Sequence, residues 1–218
     1  MIPPLALRAV TALLAFALAA VAAVAAPTAG QVAELCANAE DQAHCGRLVE
    51  EAQLKRLPGL AERAGDELRI TLFPTGIATF RDSVAIAGAK AYALWDYLDR
   101  INAVVLFATD GDQSGFVLLQ RANGRQYRLP SEPTLSPDRQ YLVTAAFCAS
   151  GCAGELAVWR VTRDAVVQAF AWKPDAAWID ASAEWKDADT LRVDYTLAGE
   201  NKPRTLERKL ADGGWRKR

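Results

Sequence analysis

Few residues in this chain have the types and spacing that chemistry needs, and one short run stands out. Asp110-Gly111-Asp112-Gln113-Ser114-Gly115 places oxygen donors at alternate positions, Asp110, Asp112 and Ser114, followed by a glycine. This is the first half of a calcium loop, in which oxygens at positions one, three and five surround a hard cation and glycine allows the sharp turn. Val117 fills the usual apolar eighth position, but Arg121 stands at the twelfth, where a bidentate glutamate is needed. The competing reading is a polar hairpin loop. Calcium is the only cofactor to which the sequence points.

Other candidates are weaker. Asp180, Glu184, Asp187, Asp189 and Asp194 are locally dense, and two carboxylates facing each other across a cleft can hydrolyse a glycoside. Their placement in turns and on polar strand faces instead suggests solvated acids. The single histidine, His44, is adjacent to Cys45 in a helical stretch, where neighbouring side chains diverge. There is no Gly-x-Ser-x-Gly elbow, so no catalytic residue is assigned. Trp172, Trp178 and Trp185 could form a sugar-stacking strip, although large aromatics usually pack in cores. Trp215, among basic residues, is expected to be the most exposed tryptophan.

The elements that must position these residues follow from composition and periodicity. The chain has 218 residues, 51% of them hydrophobic, with 25 Lys+Arg against 26 Asp+Glu. It can therefore bury a core, and it lacks the basic surplus of a nucleic-acid binder. Residues 1–25 have one charge, Arg8, then an apolar run ending in Ala23-Val24-Ala25. This is the pattern of a cleaved secretory signal peptide, which leaves no stable membrane span after its removal and predicts a periplasmic or secreted protein. Four cysteines agree with an oxidising compartment. Cys148 and Cys152 bracket a turn-forming Ala-Ser-Gly. Nine residues of continuous helix, about 900° of rotation, would put Cys36 and Cys45 on opposite faces. They pair only if the helix breaks, and Asn38-Ala39-Glu40-Asp41 supplies capping residues for a break. The favoured bridges are Cys36–Cys45 and Cys148–Cys152; the rival pairings would staple the N-terminal segment to the β-region.

Residues 31–57 read as helical, ended by Pro58-Gly59. Residues 66–218 read as a β-rich domain. Leu191, Val193, Tyr195 and Leu197 alternate with polar residues, as in a half-buried strand. Ala103–Phe107 and Tyr141–Val143 are apolar on both faces, as central strands are. Asn123-Gly124 is a strong hairpin signal. Roughly twelve short strands at 8–12-residue intervals predict an all-β fold. The fold class is mainly β, an antiparallel meander that is propeller-like or a compact barrel or sandwich, with a short N-terminal helical segment.

Residues 132–161 carry a turn, Ser136-Pro137-Asp138, then a strand, a loop and a second strand containing Trp159. Pro137 presets φ, while Ser136 and Asp138 can bond to nearby backbone. This unit resembles one blade of the WD40-like and TolB-type β-propeller repeats, which usually have glycine where Arg139 stands. Asp99 and Asp187 open weaker echoes, 39 residues before and 49 after Asp138. About three blades' worth of strands follow residue 66, too few for a large closed ring. The resemblance implies an architecture rather than a reaction. The expected function is a non-catalytic envelope module that binds a protein or glycan through its loops. The alternatives are a cell-wall hydrolase using acid pairs such as Asp180 and Glu184, or an inhibitor or immunity-type protein binding through the Cys148–Cys152 turn.

Overall fold

The N-terminal region forms two helices. The computed structural model describes residues 27–85 and 88–217, so the signal segment expected over residues 1–25 lies outside the described residues. Helix α1 (Ala29–Leu35) opens on a capping box in which Thr28 and Gln31 satisfy each other's backbone amides. Helix α2 (Gln42–Arg56) opens at Asp41, whose carboxylate accepts the His44 N–H at 2.7 Å. The break between them brings Cys36 and Cys45 together, with Cα atoms 4.9 Å apart in a disulfide.

Among the described residues, sixteen strands form four antiparallel sheets, with no closed barrel. The first sheet is β1 (Ala61–Ala64), β2 (Glu67–Thr71) and β3 (Ile77–Arg81). It begins ahead of the expected residue 66, because β1 is too short and polar for its alternation to show. The second is β4 (Ser83–Ala85), β5 (Gly88–Leu98), β6 (Ala103–Asp110), β7 (Gln113–Gln120) and β8 (Gln126–Leu129). The third contains β9 (Thr134–Leu135), β10 (Tyr141–Ala146), β11 (Glu155–Val161) and β12 (Val166–Trp172). The fourth is β13 (Trp178–Trp185), β14 (Thr190–Leu197) and β15 (Arg204–Lys209). The last strand, β16 (Arg216–Lys217), returns to the outer edge of the third sheet beside β12.

The side-chain period of two explains how the sheets stack. In β6, Val104 and Leu106 pack with the first sheet, while Ala103 and Val105 pack toward the third. In β10, Leu142 faces the second sheet and Val143 the fourth. The two-faced apolar strands are thus the middle of the stack. Its ends are polar. On the first sheet Glu67 pairs with Arg69 and Arg81, and on the fourth Glu184, Arg192 and Glu207 stand in register and exposed. Charged residues thus dominate the two outer faces, with Ile77 the exposed apolar side chain on the first.

Asp99–Asn102 joins β5 to β6, the second and third strands of their sheet, Ser136–Gln140 joins β9 to β10, and Lys186–Asp189 joins β13 to β14, each the first two strands of theirs in chain order. In the Ser136–Gln140 turn, Arg139 has φ +66°. The position requires a left-handed backbone, which is why glycine suits it. Ser136 Oγ donates to Asp138 Oδ1 at 2.6 Å and accepts the Tyr141 N–H at 2.9 Å, holding the turn. Trp215 corrects an expectation: it is only 8% exposed. Pairing of β16 with β12 folds its indole against Phe170 and the Arg208 guanidinium, and Nε1 donates to the Lys209 carbonyl at 2.8 Å.

Helix α2 is pinned to the first two sheets by a buried ionic cluster. Glu50, 2% exposed, accepts both Arg63 Nε and Nη2 at 2.8 Å, Arg47 Nη1 at 3.0 Å and the Leu94 N–H at 2.9 Å. Asp82 pairs with Arg47 and Arg63 and accepts the Tyr92 N–H. One turn earlier in the helix, Gly46 lies so close to the second sheet that a Cβ would fall 2.9 Å from Phe107 Cδ1 and 3.2 Å from Ala93 Cβ. Phe107 has little room to yield, since its ring packs 5.4 Å from Trp95 and 5.5 Å from Phe116. Glu50→Ala should cost about 2–4 kcal/mol in urea denaturation, because two half-buried arginines and the buried Leu94 N–H lose their acceptor. Gly46→Ala should cost about 1–3 kcal/mol by overpacking, despite alanine's better helix propensity.

Candidate functional site

A concavity lies where the second sheet reaches past the end of β8 toward the third. It is a cleft of about 410 Å3 around the β6–β7 hairpin. The register places Tyr92, Ala108, Gly115, Val117 and Arg128 on the face of the second sheet that meets the first. Ser114, Phe116 and Leu129 lie on the opposite face, across from Glu155 and Trp159 of β11. Small residues make the floor: Ala108 sits beside Gly115, where a Cβ would stand 3.2 Å from the Leu129 carbonyl.

Both acids of the cleft already have cationic partners. Lys90 Nζ lies 3.0 Å from Asp110, and Arg216 Nη2 lies 3.1 Å from Glu155. Arg128 is exposed and makes no ion pair among the described residues. The Trp159 indole N–H is spent on Thr144 Oγ1 at 3.0 Å, which fixes the ring as one wall. The cleft therefore offers charge, aromatic surface and one uncommitted guanidinium. It brings together no nucleophile and base: His44 stands on α2, where Nδ1 accepts the Glu40 N–H, and all four cysteines are in disulfides.

The calcium-loop residues line or adjoin this cleft without converging. Asp110 pairs with Gln113 in a two-residue hairpin, with Gly111 at φ +60°. Asp110 and Ser114 consequently fall on opposite faces, and Asp112 sits in the turn. Among the described residues, no group of three or more His, Cys, Asp or Glu side chains gathers as metal ligands. Arg121, at the loop's twelfth position, binds Thr71 O at 2.6 Å, Asn102 Oδ1 at 2.9 Å and Tyr97 Oη at 3.2 Å. It is a clamp between the first and second sheets.

Asp180 and Glu184 stand exposed on the open outer face of the fourth sheet. Asp187 accepts the Asp189 N–H at 3.0 Å and the Thr190 N–H at 2.8 Å, and these amide bonds hold its carboxyl below the usual range. The tryptophans form no open strip: Trp178 is buried with its ring stacked 4.0 Å from Tyr195, and Trp185 donates to Thr134 O. Cys148 and Cys152 are bridged, with Cα atoms 5.6 Å apart, just before the strand that supplies Glu155.

Lys90, Arg128 and Glu155 went unnoticed in the sequence, because they come from three strands and share no local spacing, while Trp159 was noticed only as the aromatic of the blade-like unit. The only local sign was Arg128, a charge alternating with Tyr127 and Leu129 just ahead of a strand-ending proline. No family model, no curated protein and no solved structure matches the chain.

Asp96 is the buried acid outside the Glu50 cluster. It follows a bulge at Trp95 in β5 and accepts Arg56 Nη2 at 3.0 Å. Burial pushes its carboxyl above the ordinary aspartate value, outweighing the Tyr97 amide and Arg56, which favour the charged form. The folded state thus holds the Asp96 proton more tightly than the unfolded chain, and this group costs stability as pH rises from the unfolded value near 4 through its raised folded value. Urea midpoints of Asp96→Asn and the parent should therefore diverge in the variant's favour as pH rises across that window, and converge below about pH 4.

Proposed function

We propose that the protein is exported and acts as a non-catalytic binding module, engaging an envelope protein or glycan through the cleft between its second and third sheets. The observation that carries this reading is the cleft itself. It collects aromatic walls and charges of both signs around an uncommitted Arg128, while Asp110 and Glu155 are each engaged by a cation. A hydrolase built on Asp180 and Glu184 has less support, because an open sheet face excludes no water from a reacting bond.

Export is supported by the two disulfides, whose persistence favours an oxidising compartment. None of the described helices is long and apolar enough to cross a membrane. The propeller-type reading draws support from the meanders stacking in chain order, with turns of similar sequence before the second strand of the third and fourth sheets and the third strand of the second. We regard the chain as a short open run of blade-like units whose rim at the β6–β7 end carries recognition.

Site-specific photo-crosslinking in a producing bacterial cell tests this. A photoreactive side chain at Gln113, on the cleft rim, should give a discrete adduct in the envelope fraction. The same group at Thr79 or Glu207, on the polar outer faces, should give none. Adducts only from the outer faces, or a mature protein recovered reduced in the cytosol, would overturn the reading.

A further inference from the structure

The edge of β7 is left open inside the cleft. Strand β8 pairs with Phe116–Leu119 only and ends at Leu129, beyond which the chain leaves the sheet at Pro130 and Ser131. The direction of the free backbone groups follows from the register. Gln120 sends both its N–H and its carbonyl to the β8 side, to Arg125 O and from Gly124 N. Backbone groups alternate along an antiparallel strand, so Leu118, Phe116 and Ser114 do the same. Ser114 lies beyond the end of β8, and among the described residues no backbone or side-chain partner meets its N–H or carbonyl. Other edges, such as β15 with exposed Arg204, Glu207 and Lys209, carry the charges that discourage pairing.

We infer that the cleft takes an extended polypeptide segment with an acidic side chain. One residue of that segment pairs with Ser114 through both backbone groups, in the manner of strand addition. The inference rests on the cleft being the binding face. The residue opposite Ser114 points to the face of Phe116 and Trp159, which suits an apolar side chain. The residues flanking it point to the face of Arg128, which pairs with no acid among the described residues, and this suits a carboxylate. A glycan could use the aromatic walls and Arg128, but it has no alternating donor and acceptor to match the free backbone pair.

Phage-displayed random dodecapeptides selected on the oxidised full-length protein test the inference. Enriched sequences should carry an acidic residue next to an apolar one. N-methylation at alternate positions of a selected peptide should weaken binding at least tenfold in one of the two registers. Ser114→Pro removes the free N–H without touching the β6 ladder and should weaken binding at least tenfold, whereas Ser114→Ala should leave it unchanged. If Ser114→Pro does not fold, the N-methylated peptides decide. Arg128→Glu should shift the enriched charge from acidic to basic. Peptide binding indifferent to both N-methylation and Ser114→Pro overturns the inference. So does a concentration-dependent dimer abolished by Ser114→Pro, which assigns the edge to a second copy. Cell-wall glycan fragments that bind through Arg128, with no peptide enriched, overturn the inference and leave the cleft as the binding face. If neither peptide nor glycan binding responds to Arg128→Glu, both readings fall.

Discussion

One carboxylate, buried in helix α2, ties that helix to both of the first two sheets. Glu50 binds the guanidinium of Arg63 from the first sheet, and it accepts a backbone amide from Leu94 in the second. Arg47 and Asp82 complete a cluster of two cations and two anions, so the buried charge is balanced. Such clusters contribute little net stability compared with a well-packed apolar core, and their value lies in geometry. A guanidinium gripped by two oxygens fixes angle as well as distance. The helix is thereby held across both sheets, with Gly46 pressed against Phe107.

The position of the cleft follows from that constraint and from where strands stop. The first sheet packs against Leu94, Val104 and Leu106 of the second, and the pinned helix fixes how far along β5 it reaches. Beyond it, small residues at Ala108 and Gly115 leave room. On the other side, β8 ends at Leu129, before it covers β7 to the hairpin. At the far end of the strands, polar clamps close the same sheets together. Arg121 joins the first to the second, and Gln120 Nε2 binds the Thr162 carbonyl of the third at 2.9 Å. One end of the stack is thus stitched, and the other keeps open backbone and an uncommitted arginine.

Much of the scaffold was legible because it is written in local pattern. The two-residue rhythm marked the strands, and apolar runs at 103–107 and 141–143 marked the two-faced middle of the stack. The helix break between Cys36 and Cys45 was set by rotation per residue and a capping aspartate. The site was less legible for a physical reason. Arg47 and Asp82 are 35 residues apart, Glu50 and Leu94 are 44 apart, and neither pair leaves a trace in spacing. The half calcium loop attracted attention because its donors alternate, yet the two-residue hairpin between β6 and β7 breaks the alternation and puts Asp110 and Ser114 on opposite faces. Trp215 was misplaced because nothing local shows that the last strand turns back onto the third sheet.

Amide hydrogen exchange of the native protein, followed residue by residue, tests the pinned helix most directly. The Leu94 N–H is bonded to a side chain of another element, so its protection reports whether α2 stays docked. The account predicts that Leu94 exchanges only through global unfolding, at the same free energy as Val105 and Leu106 in the centre of β6. Exchange of Leu94 by a local opening, while those β6 amides remain protected, would contradict it.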